Sequence, residues 1–177
     1  MYARQECWDL VADYVVSGQA YFYRLAYGQV RDREAALDIV QEAITKALDK
    51  AHTLREPNYL KTWFYRILIN ECMDYFRRNK NVVPIEEVFD LRAEPGLDPG
   101  DRVDLYHALA KLDERERLII QLRFFEDMKL EEIARVTDTN LSTVKTRLYG
   151  GLRKLKQLTG EEVDDDERSD GAGKKAL

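Results

Sequence analysis

Apolar residues recur at spacings of three and four along almost the whole chain before residue 80, lapse between Asn79 and Arg102, and return near Asp104. That period belongs to helices with one buried face. No alternating run competes with it. The pattern therefore predicts an all-α protein: two small helical domains joined by a flexible acidic linker. Asp32 is a candidate N-cap, followed by Ala36, Val40, Ala43 and Ala47, with Leu37, Ile44 and Leu48 beside them. Upstream, Trp8, Val11 and Val15, then Tyr21, Phe22, Leu25 and Ala26, predict partner helices. Pro57 breaks the chain, and a further helix is expected from about Asn58 to Arg78. The lapse holds Pro84, Pro95, Pro99, Gly96 and Gly100, and Glu86, Glu87, Asp90, Glu94, Asp98 and Asp101 outweigh Arg92 and Arg102. Such a composition describes a tether. Beyond it, Leu105, Ala108, Leu109 and Leu112 form one stripe, and Leu118, Ile119 and Leu122 another. The expected boundaries are 1–80, a linker over 81–103, a second domain over 104–158, and a disordered acidic tail over 159–177.

Several classes of function are disfavoured. No run of about 18 apolar residues is free of charge, and the start lacks a signal-peptide pattern, so no membrane insertion is expected and the expected compartment is the cytoplasm. Cys7 and Cys72 form no metal spacing, and Cys72 sits among apolar helical positions, as a buried reduced thiol does. The only histidines are His52 and His107, and neither a Gly-rich phosphate loop nor a nucleophile elbow is present. No catalytic residue, metal or cofactor is expected, and the chain does not read as an enzyme.

The net charge of −5 hides a strong local asymmetry. Acids crowd the tail from Glu161, whereas the stretch from Leu141 to Leu158 carries Lys145, Arg147, Arg153, Lys154 and Lys156 with no acid. That basic stretch ends a helix-turn-helix pattern beginning at Leu130. Ile133, Ala134 and Val136 give the first helix a buried face. Asp138 tolerates a left-handed turn, and Asn140 is a good N-cap for the second helix. Val144, Leu148, Leu152 and Leu155 then point to one side, with Ser142, Thr146, Tyr149 and Arg153 roughly opposite and Lys145 and Arg147 flanking. Short polar and basic groups opposite an apolar anchor are how a helix enters the major groove. Gly151 is expected near the buried face and Gly150 toward DNA.

The helix ending at Arg78 carries a second signal. Leu60, Phe64, Ile67 and Leu68 supply a core stripe. Trp63, Tyr65, Tyr75 and Phe76 exceed its needs and are interleaved with Lys61, Arg66, Arg77 and Arg78. Aromatic faces stack unpaired bases for ~1–3 kcal/mol each while cations hold phosphates, so the mixture suits opened DNA. Core packing of Trp63 remains the competing reading.

These blocks resemble, in order and spacing from about Val11 to Leu158, the extracytoplasmic-function (group IV) sigma factors of bacterial RNA polymerase. Tyr23 to Tyr27 and Asp32 to Glu42 look like the first blocks of the family's sigma2 domain, and Lys61 to Arg78 like its melting and minus-ten-reading segment. Leu112 to Leu118 and Thr143 to Leu148 look like its sigma4 domain. The resemblance implies that Asp38, Gln41, Glu42 and Thr45 grip the basic clamp of the largest polymerase subunit. It implies a minus-ten set comprising Arg55, Asn58, Tyr59, Lys61, Trp63, Arg66, Asn70, Arg77 and Arg78, with the loop from about Thr53 to Thr62 holding a flipped base. It assigns Ser142, Thr143, Lys145, Thr146, Arg147, Tyr149 and Arg153 to the minus-thirty-five duplex. Implied partners are core RNA polymerase, promoter DNA and an anti-sigma factor. Three positions depart from the family pattern: Gly150 replaces a DNA-contacting arginine, Asp113 a frequent proline, and Thr139 an apolar turn residue. The competing assignment is a stand-alone helix-turn-helix regulator, which binds duplex DNA without the polar face from Asp38 to Thr45.

Overall fold

The computed structural model describes residues 4–79, 105 and 107–159. The expected linker over 81–103 and the tail beyond Thr159 lie outside the described residues, among which no strand occurs. The amino-terminal bundle contains α1 (Arg4–Val30), α2 (Arg33–Asp49) and α3 (Leu60–Arg78), with short 3-10 turns at Ala51–Thr53 and Pro57–Tyr59. The carboxy-terminal bundle contains a helical turn over 107–110, then α4 (Glu114–Phe124), α5 (Leu130–Val136) and α6 (Leu141–Thr159).

The upstream apolar series forms one helix of 27 residues rather than several. Gly18 does not break it because Phe22 packs over it: a Cβ on Gly18 would lie 2.2 Å from the Phe22 ring. Val11, Val15, Phe22, Leu25 and Ala26 are buried, whereas Trp8 and Tyr21 face outward. Arg31, with φ at 58°, turns the chain into α2. There the Asp32 carboxylate accepts from the Ala35 N–H at 2.9 Å, as a capping residue should. The line of Ala36, Ala43 and Ala47 lets α2 lie close against its neighbours, while Leu37 is exposed. Phe22 sits at the centre of an aromatic cluster, with ring centroids 5.6 Å from Tyr14, 4.4 Å from Phe64 and 5.7 Å from Tyr65.

In the second bundle Asp113 caps α4, its carboxylate accepting from the Arg115 N–H at 3.0 Å. The Glu132 carboxylate accepts from the Lys129 N–H at 2.8 Å and closes the start of α5. Val144, Leu148, Gly151 and Leu155 form the buried face of α6, with Leu152 only half-buried. Gly151 permits the close approach, since a Cβ there would stand 2.7 Å from Ile120 Cδ1.

The two bundles touch, and their buried side chains form one continuous core. At the end of α1, the Gln29 and Gln121 amides pair with each other. The buried Arg117 guanidinium donates to the Gln29 carbonyl at 3.2 Å and to the Ala110 carbonyl at 3.3 Å. A cation suits those terminal carbonyls. Burial lowers the arginine's pKa from its ordinary value, with Arg31 adding repulsion. Further along, the Tyr65 hydroxyl donates to the Glu126 carboxylate, and the Lys61 ammonium donates to the Glu126 carbonyl.

Candidate nucleic-acid interface

The helix-turn-helix is built as its residues suggest. Asp138 takes φ of 50° between α5 and α6, and the Asn140 carboxamide oxygen accepts from the Thr143 N–H at 2.8 Å. Thr139, at its unusual turn position, closes the turn by hydrogen bonding: its N–H reaches the Ala134 carbonyl at 2.9 Å and its hydroxyl the Thr137 carbonyl at 3.1 Å. With Val144 and Leu148 buried, α6 turns Ser142, Lys145, Thr146, Tyr149 and Arg153 to solvent, and Thr143 and Arg147 sit half-buried at its edges. Lys154 leaves this face, its ammonium 2.8 Å from both Glu116 oxygens. Gly150 differs from expectation. A Cβ there would meet Glu116 Oε1 at 3.4 Å, so the position looks toward α4 as much as toward a groove.

The aromatic helix divides its residues between core and surface. Leu60, Phe64 and Leu68 are buried, and so is Tyr65, a presumed surplus aromatic that the bundle interface consumes. Its burial and the neighbouring Glu126 charge push the phenol well above its ordinary range. Trp63, Tyr75 and Phe76 are partly buried against the core, each keeping some accessible surface. Arg55, Asn58, Tyr59, Lys61, Arg66, Asn70, Arg77 and Arg78 are exposed. Buried Leu54 and Leu60 pin the two ends of the loop that carries the first three. Arg77 pairs with Asp74 one turn earlier. Cys72 is fully buried, and burial with the neighbouring Glu71 charge pushes its thiol up to about 12, which leaves it unreactive.

A third surface lies on α2. Asp38, Gln41, Glu42 and Thr45 are all exposed and fall at helical spacings of three and four, so they share one face. The Thr45 hydroxyl donates to the Gln41 carbonyl at 2.9 Å. Lys46 borders this face and joins it to α3: its ammonium lies 2.7 and 2.8 Å from the oxygens of buried Glu71 and 3.3 Å from Glu42. The hydrogen bond to Glu71 is the main reason its pKa lies above the ordinary value. Sequence reasoning did not single out Lys46, Glu71 or Glu126. The only available signal was a carboxylate falling among apolar helical positions, which Glu71 displays beside Cys72.

Together these features define a bipartite helix-turn-helix protein, with an aromatic and basic surface on one bundle and a basic recognition helix on the other. The Sigma-70 region 2 family model matches residues 16–82, and the Sigma-70 region 4 model matches residues 102–155. The RNA polymerase sigma factor SigV of Bacillus subtilis is 46% identical over 144 residues, covering 80% of this chain and 87% of that protein. The ECF RNA polymerase sigma factor SigX of the same organism is 28% identical, over 82% of each chain. In solved structures, the same fold occurs in the sigma factor RpoE in complex with the anti-sigma factor NepR from Bartonella quintana. That match has a TM-score of 0.72 at 24% identity and covers 84% of this chain and 96% of that one. The structure of CnrH in complex with the cytosolic domain of CnrY matches with a TM-score of 0.62 at 20% identity, covering 86% and 89%. The chain belongs to the sigma-70 family of RNA polymerase sigma factors, among its extracytoplasmic-function members. Its activity is to direct promoter-specific transcription initiation by core RNA polymerase. No helix among the described residues is long and apolar enough to cross a membrane.

Proposed function

We propose that this sigma factor divides promoter reading between its two bundles. The exposed face of α6 docks on the minus-thirty-five duplex through Ser142, Thr143, Lys145, Thr146, Arg147, Tyr149 and Arg153. The loop before α3 and the accessible side of that helix, from Arg55 to Arg78, hold the unpaired minus-ten strand. The face from Asp38 to Thr45 binds the polymerase. The observation that carries this reading is the recognition helix: its outward face holds cations and hydroxyls but no carboxylate, while its inward face is wholly apolar or glycine. Core polymerase then holds two weak DNA contacts at a fixed separation, a gain of roughly 10²–10⁴ in avidity. The chain supplies no catalytic residue and acts in the cytoplasm alongside polymerase. An anti-sigma factor that covers these surfaces is the expected negative regulator, by analogy with the complexes of RpoE and CnrH.

The test is binding of the purified chain to sigma-free core RNA polymerase, followed by transcription from a random promoter library. A shared two-part motif among the transcripts is the expected result. Specific duplex binding by the chain alone, without core binding, would transfer the reading to a stand-alone regulator. Two variants refine the assignment. Arg153→Ala, at an exposed position on α6, weakens upstream-duplex binding and lowers the salt dependence by about one phosphate contact; an unchanged slope removes Arg153 from the phosphate set. Trp63→Ala slows promoter opening by about tenfold while leaving closed-complex formation intact, as loss of one base-stacking platform should. Equal loss at both steps assigns Trp63 to the core alone.

A further inference from the structure

Exposed acids line one side of α2: Glu34, Asp38, Glu42 and Asp49 recur at spacings of four, four and seven, which keeps them on one helix face. Lys46 is the only lysine or arginine between Glu34 and Asp49, and it sits at the border of that face. Its ammonium does not settle on the surface acids. It turns inward to Glu71 of α3, 2.7 and 2.8 Å from the two carboxylate oxygens, and lies farther from Glu42, at 3.3 Å. Exposure follows the same order: the Glu71 side chain is 7% exposed, that of Lys46 34% and that of Glu42 55%. The stronger partner is therefore the buried one. The rise in the lysine's pKa agrees, its first cause being the hydrogen bond to Glu71.

A carboxylate on the packed side of α3, beside fully buried Cys72, is costly at a position where an apolar residue would serve the fold. Buried ion pairs seldom stabilise a fold more than apolar residues of the same volume. The pair has a clearer use on the surface next to it. A face that grips basic groups depends on the sum of its charges, and an ammonium with no other partner, 3.3 Å from Glu42, would cancel that carboxylate.

We propose that Glu71 is a positioning residue for polymerase binding: from the interior it draws Lys46 off the face between Asp38 and Thr45 and leaves the Glu42 carboxylate for the partner's cations. This rests on the polymerase-binding reading of that face given above. The two carboxylates act differently because their surroundings differ. Glu71 is buried and cannot reach a partner, but it neutralises the lysine through two short hydrogen bonds. Glu42 holds the lysine weakly, since an exposed pair contributes little, and exchanges it readily for an incoming arginine or lysine. The helix that presents Arg66 and Asn70 to solvent thus also sets the charge of a face on its neighbour.

The test is binding of the full chain to immobilised, sigma-free core RNA polymerase, with rates measured at low and high salt. Glu71→Gln keeps an acceptor for the lysine but no charge, so Lys46 pairs with Glu42 instead. It is expected to lower core affinity by about fivefold at low salt, mostly through the on-rate, and to flatten the salt dependence. Adding Lys46→Gln removes the cation and should return affinity to within about twofold of the unsubstituted chain. In a Glu42→Gln background, Glu71→Gln should cause no further loss. A change of packing alone would lower affinity equally at both salts, and the Glu42→Gln background would not absorb it.

Unchanged affinity for Glu71→Gln, while charge reversal at Asp38 and Glu42 still weakens binding, overturns the proposal and leaves the polymerase face standing. So does a loss that is independent of salt, or one that Lys46→Gln does not relieve. If charge reversal at Asp38 and Glu42 has no effect, the reading of the face fails and the proposal with it. Should Glu71→Gln lose helix content, Glu71→Met removes the same charge with a side chain of similar volume, and the same outcomes decide.

Discussion

Phe22→Ala costs the protein about 3–5 kcal/mol of unfolding free energy, measured by urea denaturation, a large part of the roughly 5–15 kcal/mol that a domain possesses. The cost is high because the ring is 1% exposed and lies within a cluster of other aromatic rings. Tyr14, Phe64 and Tyr65 meet it from α1 and α3, and its edge covers Gly18. Removing it leaves a cavity bounded by rigid rings and deprives three aromatic contacts of their common member. Trp8→Ala, on the same helix but 44% exposed, should move the midpoint far less. If the two substitutions cost the same, the aromatic cluster is not the centre of the bundle.

Reversing charge at both Asp38 and Glu42 with lysine lowers affinity for core RNA polymerase by about a hundredfold, read by competition against the unsubstituted sigma factor. Like charges brought together across an interface oppose association and slow the encounter, so both the equilibrium and the on-rate should fall. Both residues are exposed, and the fold should survive. Glu42 does give up its ion pair with Lys46, but exposed pairs of this kind contribute little, and Lys46 keeps its two contacts with Glu71. Unchanged core affinity with unchanged helix content would remove this face from the polymerase interface.

The elements that could be read in advance were those whose signals are local. The caps at Asp32 and Asn140 and the left-handed turn at Asp138 each depend on one residue and its immediate neighbours, and all three stand as read. Burial along α2 and α6 followed from helical periodicity with two departures: Leu37 on α2 is exposed, and Gly151 rather than Leu152 completes the inner face of α6, because Ile120 leaves no room for a side chain there. The upstream helices merged into one for a similar reason. Periodicity cannot report that a ring packs over a glycine where the helix runs on without a break. Tyr65 illustrates the larger difficulty. In sequence it is one aromatic among several, and only its partner Glu126, 61 residues away, distinguishes it from the rest. The Gln29–Gln121 pair spans 92 residues, and no pattern within either helix marks these side chains as partners. Which residues share one helix face was legible. Contacts between bundles were not, since they depend on how two surfaces meet.

The unbroken α1 rod has a consequence for how the molecule comes apart. At 27 residues and 1.5 Å per residue it is about 40 Å long, and its last turn is clasped by the second bundle through Gln29. Heat supplied to this protein therefore meets one cooperative unit with a single melting peak. Once the clasp is loosened, the peak should split in two, each half melting on its own terms.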